Sequence, residues 1–286
     1  MKIGRWIWLP GLAAAFLAVT GMVESQNSRE VLSRRPVPAD HRLAYGSSPL
    51  QFGELRLPKG SGPFPVVVVL HGGCWLSQYG LDYMSHFSAD LTAAGVATWS
   101  LEYRRLGDEG GGWPGTFLDV GQGIDHLRTL AKRFPLDLKR VVVTGHSAGG
   151  HLTLWAAARK LLPADSPVYK SDPLPIAAIV PIAPITDLKR AGTACDLEAR
   201  QLMDKAIYSQ VSPNQLLPLG VRTTIVQGET DLIVPPVMAT SYIEAARRTG
   251  DDPKLLLIEN AGHFEVIDPQ SKIWPQVRNG ILQSVK

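Results

Sequence analysis

The chain has 286 residues, of which 45% are hydrophobic and 19% charged, and a formal net charge of +3. That length and composition suit one large α/β domain or two small ones and exclude a disordered chain. The basic residues are scattered, so neither a nucleic-acid nor a membrane-surface footprint is read from the charge.

Lys2 and Arg5 open the chain ahead of the apolar run "WIWLPGLAAAFLAVTGMV", which gives way through "VES" to the polar "QNSRE". This is the layout of an export signal over residues 1–25, cleaved after Ser25, leaving a secreted or periplasmic protein with no stable membrane partner. The alternative is an N-terminal anchor, although the run is borderline in length and carries Pro10 and Gly11. Residues 26–44 read as a polar lead-in. "RLAYG" and "LQFGELRLP" then alternate and predict an opening antiparallel pair.

"VVVVLHGG" is a continuous apolar run ending in glycines, as expected of a strand buried on both faces of a parallel sheet. After it, strands and helices alternate. "YMSHFSADLTAAG" reads as a helix closed by Gly95, and "VATWSLEY" as a strand. From Thr116 to Arg133, apolar residues at Phe117, Val120, Ile124, Leu127 and Leu130 predict one amphipathic helix. "RVVVTG" is the next strand, followed by a helix after Ser147. "IAAIVPIA", "RTTIVQG" and "KLLLIEN" are further strands. "VMATSYIEAARRTG" is a helix, and "SKIWPQVRNGILQSV" is a final helix interrupted by Pro275. Repeated β-α-β units of this kind make a mostly parallel, doubly wound α/β sheet with helices on both faces. Residues 187–218 break the rhythm and read as an insertion near the C-terminal edge of the strands, where such sheets keep their sites. The two cysteines, Cys74 and Cys195, are either a disulfide, which export would permit, or two free thiols.

"GHSAG", Gly145 to Gly149, fits G-x-S-x-G where a strand turns into a helix. A nucleophilic serine needs a corner tight enough to lift it clear of the sheet, and the glycines supply the clearance. The following helix aims backbone N–H groups at a developing negative charge. Ser147 would need a base, and the base an orienting acid. In the chain order serine, acid, histidine, His263 in "ENAGHFEVIDP" is the candidate base, because it alone follows Ser147 beyond that residue's own helix. Asp231 in "IVQGETDLIVPP" is the candidate acid, with Glu229 and Asp187 as rivals. "LHGGCW" follows a strand as an oxyanion loop would. Backbone N–H groups of Gly73 or Cys74, together with Ala148, are the expected donors. Trp75 and Trp113 either line an apolar pocket or pack in the core. His146, inside the elbow but turned from the nucleophile, is a third pocket candidate. Gly110 to Gly112 lack the Lys-Ser or Lys-Thr of a phosphate cradle and read as a loop at the cleft, braced by Tyr103 and Arg104. Neither metal-ligand spacing nor a dinucleotide fingerprint is found.

With "HGGCW", "EYRR", "GHSAGG", "GETDLIVP" and "AGHF" in this order, residues 45–286 resemble the α/β-hydrolase family, in its esterase/lipase branch with an HGG oxyanion loop. That branch includes carboxylesterases, arylformamidase-like enzymes and relatives of the prolyl-oligopeptidase catalytic domain. The resemblance implies a cofactor-free serine hydrolase of small carboxylic esters, working through an acyl-enzyme. Alternatives within the branch are an arylformamidase-like or peptidase-like amide hydrolase; outside it, a non-catalytic binding relative of the fold. It also implies that the 187–218 insertion caps the site, so that a Cys74–Cys195 bond would tether cap to catalytic loop. Many members read HGGG, whereas Cys74 takes the last place here.

Overall fold

A computed structural model describes residues 28–190, 195–202 and 208–286. The export signal expected over residues 1–25 lies outside the described residues, as do 191–194 and 203–207 of the expected insertion. Among the described residues no helix is long and apolar enough to cross a membrane.

Eight described strands form one sheet: β1 (His41–Ala44), β2 (Phe52–Arg56), β3 (Phe64–Leu70), β4 (Ala97–Leu101), β5 (Leu136–His146), β6 (Ala178–Ile182), β7 (Arg222–Gly228) and β8 (Lys254–Ile258), in the order β1-β2-β4-β3-β5-β6-β7-β8. β1 and β2 pair antiparallel, and β2 is antiparallel to β4. The other pairings are parallel. The sheet therefore begins at His41, inside the segment read as a lead-in.

The valine run of β3 explains why the sheet is covered on both sides. Val66, Val68 and Leu70 point into one core, with Phe117, Val120 and Ile124 of α2 (Gly115–Asp125), Leu152 and Trp155 of α3 (Ala148–Ala158), and Met238 and Tyr242 of α4 (Val237–Arg248). Val67 and Val69 point into the other, with Phe87 and Leu91 of α1 (Ser85–Ala93) and Trp274, Val277 and Ile281 of α5 (Trp274–Ser284). Successive strand residues face opposite sides. Each aliphatic side chain buried in this way contributes about 1.5–3 kcal/mol. Every residue of α3 is buried, as expected of a helix that is apolar all round.

Two helices depart from the sequence expectation. The helix expected over residues 116–133 ends at Asp125, and a separate turn follows at Leu127–Leu130. The Trp99 indole N–H donates to the Gly123 carbonyl at 2.9 Å, competing for the acceptor that Leu127 would use in an unbroken helix. Pro275 does not interrupt α5. It stands in the first turn, where its missing N–H costs no helical hydrogen bond. In the insertion, helices form at Asp196–Leu202 and Tyr208–Val211.

A buried carboxylate ties α2 to the end of α3 and to the approach to β6. Asp125 meets Arg159 at 3.1 Å and Lys170 at 3.1 Å, and accepts the Leu174 N–H at 2.8 Å. Burial alone would raise this carboxyl, but Arg159, the Leu174 amide and Lys170 outweigh it and hold it below its ordinary value. A depressed folded-state value means that the stabilisation is complete above about pH 4 and is lost as pH falls through the lower folded value. Asp125→Asn is therefore expected to cost about 3 kcal/mol at pH 7, since it leaves the buried Arg159 without a carboxylate. It should also flatten the fall in Tm between pH 5 and pH 3. Calorimetry of both proteins across that range checks the two effects.

Candidate active site

β5 ends at His146 and α3 starts at Ala148, so Ser147 alone makes the corner, at φ 58° and ψ −117°. A non-glycine residue in this region is strained by about 1–3 kcal/mol, and its surroundings fix it there. The Ser147 N–H donates to the Ile182 carbonyl at 2.9 Å, and its own carbonyl accepts the His151 N–H at 3.0 Å. At Gly149 the chain passes so close to β3 that a Cβ would stand 2.2 Å from the Leu70 carbonyl oxygen. The first amides of α3 have no intrahelical acceptors and lie at the positive end of the helix dipole.

Asp231 follows β7 and His263 follows β8, and both are buried. The His263 Nδ1 lies 2.7 Å from Asp231 Oδ2. The other carboxylate oxygen accepts the N–H groups of Ile233 at 2.9 Å and Val234 at 2.8 Å, while Gln227 Nε2 donates to Oδ2 at 3.2 Å. Charge-assisted bonds of this kind are short and directional, so the carboxylate has a single orientation, aimed at the imidazole. The rivals are engaged elsewhere. Glu229 accepts the Asn260 N–H at 3.1 Å, and Asp187 accepts the Tyr208 hydroxyl at 2.8 Å.

Ser147 and His263 open on one cavity of about 200 Å³, lined also by Leu32, Gly73, Cys74, Tyr79, Tyr83, His146, Ile233 and Phe264. A larger cavity, about 380 Å³, lies between the insertion and α4; of the candidate site residues it holds only the rival acid Asp187, with neither the serine nor a histidine, and the chemistry therefore selects the smaller one. Of the three pocket candidates from sequence, only His146 lines it. Trp75 is fully buried in the core, edge-on to His151 with ring centroids 5.1 Å apart. Trp113 packs against Phe117, centroids 5.4 Å apart. The lining side chains Leu32, Tyr79, Tyr83, Ile233 and Phe264 carry no sequence signal of their own, because they come together only through long-range packing.

The loop after β3 is held from several sides. His71 stacks on Tyr103, with ring centroids 4.2 Å apart, and its carbonyl accepts the Tyr103 hydroxyl at 2.7 Å. Its Nε2 lies 3.0 Å from Glu102 Oε1, and Glu102 also meets Arg105 at 3.0 Å and the Leu81 N–H at 3.1 Å. Burial alone would raise the Glu102 carboxyl, yet His71, Arg105 and that amide keep it below its ordinary value. Arg104 pairs with Asp119 at 2.7 Å. Beyond this anchor Gly73, Cys74 and Trp75 all take positive φ, at 97°, 50° and 58°. Gly72 sits so close to the elbow that a Cβ on it would lie 2.5 Å from the His146 carbonyl and 3.0 Å from Ser147 Cβ.

A polar chain joins this loop to the histidine loop. The Gly72 N–H donates to the Tyr83 hydroxyl at 2.5 Å, and that hydroxyl lies 3.2 Å from His146 Nδ1. His146 Nε2 lies 2.9 Å from the His263 carbonyl. One assignment satisfies every group: Tyr83 donates to Nδ1, and Nε2–H donates to the carbonyl. Burial first, and the neighbouring His263 second, push His146 well below its ordinary value and keep it neutral, as the chain requires.

The chain is also similar to known proteins. A family model described as BD-FAE matches residues 54–245. Esterase LipC of Mycobacterium tuberculosis is 27% identical over 251 residues, and the alignment covers 79% of this chain but only 60% of LipC. Esterase B of Lactobacillus rhamnosis superposes with a TM-score of 0.76 at 19% identity, over 96% of this chain and 93% of that one. The esterase Est2 of Thermogutta terrifontis, in a propionate-bound structure, gives 0.70 at 21% identity, over 86% and 93%.

Cys74 and Cys195 are joined by a disulfide, which ties the loop after β3 to the start of the helix Asp196–Leu202 across a sequence separation of 121. Closing a loop of that size restricts the unfolded chain by about 4–5 kcal/mol in the chain-entropy account. The double variant Cys74→Ala/Cys195→Ala is expected to lose about 2–5 kcal/mol of unfolding free energy in urea. Reductant should shift the wild-type curve toward that of the variant and leave the variant unmoved.

Proposed function

The chain belongs to the BD-FAE family, with the α/β-hydrolase fold, and on that basis we propose that it is a serine carboxylesterase acting on small carboxylic esters. Ser147 Oγ attacks the acyl carbonyl while His263 takes its proton, then passes that proton to the departing alcohol. Asp231 holds the imidazole by its Nδ1–H and stabilises the imidazolium. The tetrahedral oxyanion is received by the Ala148 N–H and by that of Gly73 or Cys74; the Gly72 N–H is committed to Tyr83. Water, activated by the same histidine, releases the acid from the acyl-enzyme. The chemistry runs on these groups without a cofactor.

The observation that carries this reading is the buried His263–Asp231 pair at 2.7 Å opening on the same cavity as a serine in a strained corner. A cavity of about 200 Å³ bounded by Leu32, Ile233 and Phe264 supports an ester with short, apolar arms. The esterase relatives and the propionate-bound neighbour support the same class. The disulfide, together with the signal-like start of the sequence, supports work in an oxidising compartment outside the cytosol.

Short-chain p-nitrophenyl esters, alkyl formamides and proline amides, compared by kcat/KM, test the assignment. The esters should lead. Ser147→Ala should lower kcat/KM by about 10⁴-fold or more, and Asp231→Asn by about 10⁴-fold, with Tm little changed. Equal turnover by wild type and Ser147→Ala would remove the serine from the mechanism, and preference for the amides would reassign the substrate.

Tyr83 acts through its neighbours. Tyr83→Phe takes away the acceptor of the Gly72 amide and the donor to His146, loosening the loop that carries the oxyanion donors. Its kcat should fall roughly tenfold with KM nearly unchanged, because the loss falls on the transition state. Steady-state kinetics on one ester separates the two parameters.

A further inference from the structure

One wall of the candidate catalytic cavity comes from ahead of the family match over residues 54–245, which His263 and Phe264 follow. Leu32 lines it, in a helical stretch at residues 28–33 that precedes every strand of the sheet. The segment is firmly seated. Val31 is buried in the core with Met84, Phe87 and Trp274. Arg34 grips both oxygens of Asp268, at 2.9 Å on Oδ2 and more closely on Oδ1. Asp268 belongs to the same loop as His263, just past the single turn Glu265–Ile267. The Arg35 carbonyl accepts His86 Nε2 at 3.0 Å, and the Val37 N–H donates to Ser85 Oγ at 3.1 Å. Leu32 itself remains 39% exposed, so its side chain stands between the cavity and solvent and is not part of the core.

We propose that Leu32 is a specificity-determining residue: it closes one side of the cavity that holds Ser147 and limits the length of the aliphatic arm an ester can place there, with the Arg34–Asp268 ion pair holding it in position. This rests on the ester-hydrolase reading above. An arm that grows toward Leu32 gains apolar burial with each methylene until it meets the isobutyl group, and then it must bend into solvent or stop. The anchor matters because a wall selects by size only if it cannot yield. Two parallel charge-assisted bonds to the loop of the candidate base give it that rigidity.

The test compares wild type, Leu32→Ala and Leu32→Phe on two ester series: p-nitrophenyl esters of growing acyl length, and acetates of growing alkyl alcohol. Tm is recorded for each protein. Each methylene newly buried is worth about fourfold in kcat/KM. In the series whose arm points at the wall, Leu32→Ala should raise the ratio of eight-carbon to four-carbon ester by roughly tenfold, and Leu32→Phe should lower it. Loss of stability alone would scale every ester equally and leave that ratio fixed. Wild type active on short esters with both ratios unchanged in both variants overturns the proposal and leaves the hydrolase assignment standing. Wild type inactive on every ester overturns the hydrolase assignment, and the proposal with it.

Discussion

Everything at the site depends on the corner at Ser147. Its backbone lies where a residue with a side chain is strained, and it stays there because what precedes and follows it cannot move. β5 is locked between β3 and β6, and α3 is buried along its whole length. The Ser147 amide is itself used, donating to Ile182 on β6. The strain is therefore supported by the core and not by the loop. The arrangement also explains the shape of the motif. Gly149 is required by the 2.2 Å approach of its missing Cβ to the Leu70 carbonyl, so the turn, the glycine and the strand beside it form a single constraint.

Three loops must meet this corner, and each arrives by a different means. The candidate acid is aimed by its own turn, since the amides of Ile233 and Val234 fix one oxygen of Asp231 and leave the other for His263. The histidine loop and the loop after β3 are linked through the elbow by His146 and Tyr83. As assigned, that link needs a neutral imidazole: a proton on Nδ1 would make the Tyr83 oxygen the acceptor and leave the Tyr83 O–H without the nitrogen it donates to. Burial lowers His146 far enough to avoid this. The His146 ring lies 4.4 Å from that of His263. In the proposed mechanism, a neutral His146 therefore also spares the imidazolium at His263 a second positive charge nearby.

The parts legible in the sequence are those governed by local rules. Buried parallel strands announce themselves as apolar runs, and β3, β5 and β6 lie where such runs occur. The order serine, acid, histidine singled out Asp231 and His263, which are hydrogen-bonded in the structure. The choice of Asp231 over Glu229 has a physical reason: the amides at 233 and 234 can reach back to a short side chain at 231. What could not be read is set at long range. The break after Asp125 follows from a tryptophan on β4 meeting a helix carbonyl. Trp75 and Trp113 stay open between pocket and core in the sequence because large aromatics suit both, and only packing decides between them. Leu32 was hidden because a leucine in a polar lead-in has no periodicity to mark it. Its neighbours in the cavity come from points as distant as Tyr79 and Phe264.

The disulfide fits the same logic of rigidity. Cys74 takes a left-handed backbone conformation in the loop expected to supply oxyanion donors, directly before a fully buried Trp75 that does the same. Donors aimed at a developing charge are effective when they need not reorganise as the charge forms. A loop whose backbone runs against its own preference would relax unless both ends were held. Here the near end is fixed by His71, stacked on Tyr103 and facing Glu102. The far end is fixed by burial of the indole, and the middle by a covalent bond to Cys195, which is itself wholly buried. The bond thus acts on two levels: it restricts the unfolded chain, and in the folded one it keeps the insertion and the loop after β3 at a fixed separation. An ion pair, Arg34 with Asp268, gives the residue 28–37 segment, which reaches the same cavity through Leu32, a comparable hold. Selection by shape, as proposed, follows from such anchoring, because neither Cys74 nor Leu32 can shift away from the cavity without breaking an interaction that the rest of the fold has already oriented.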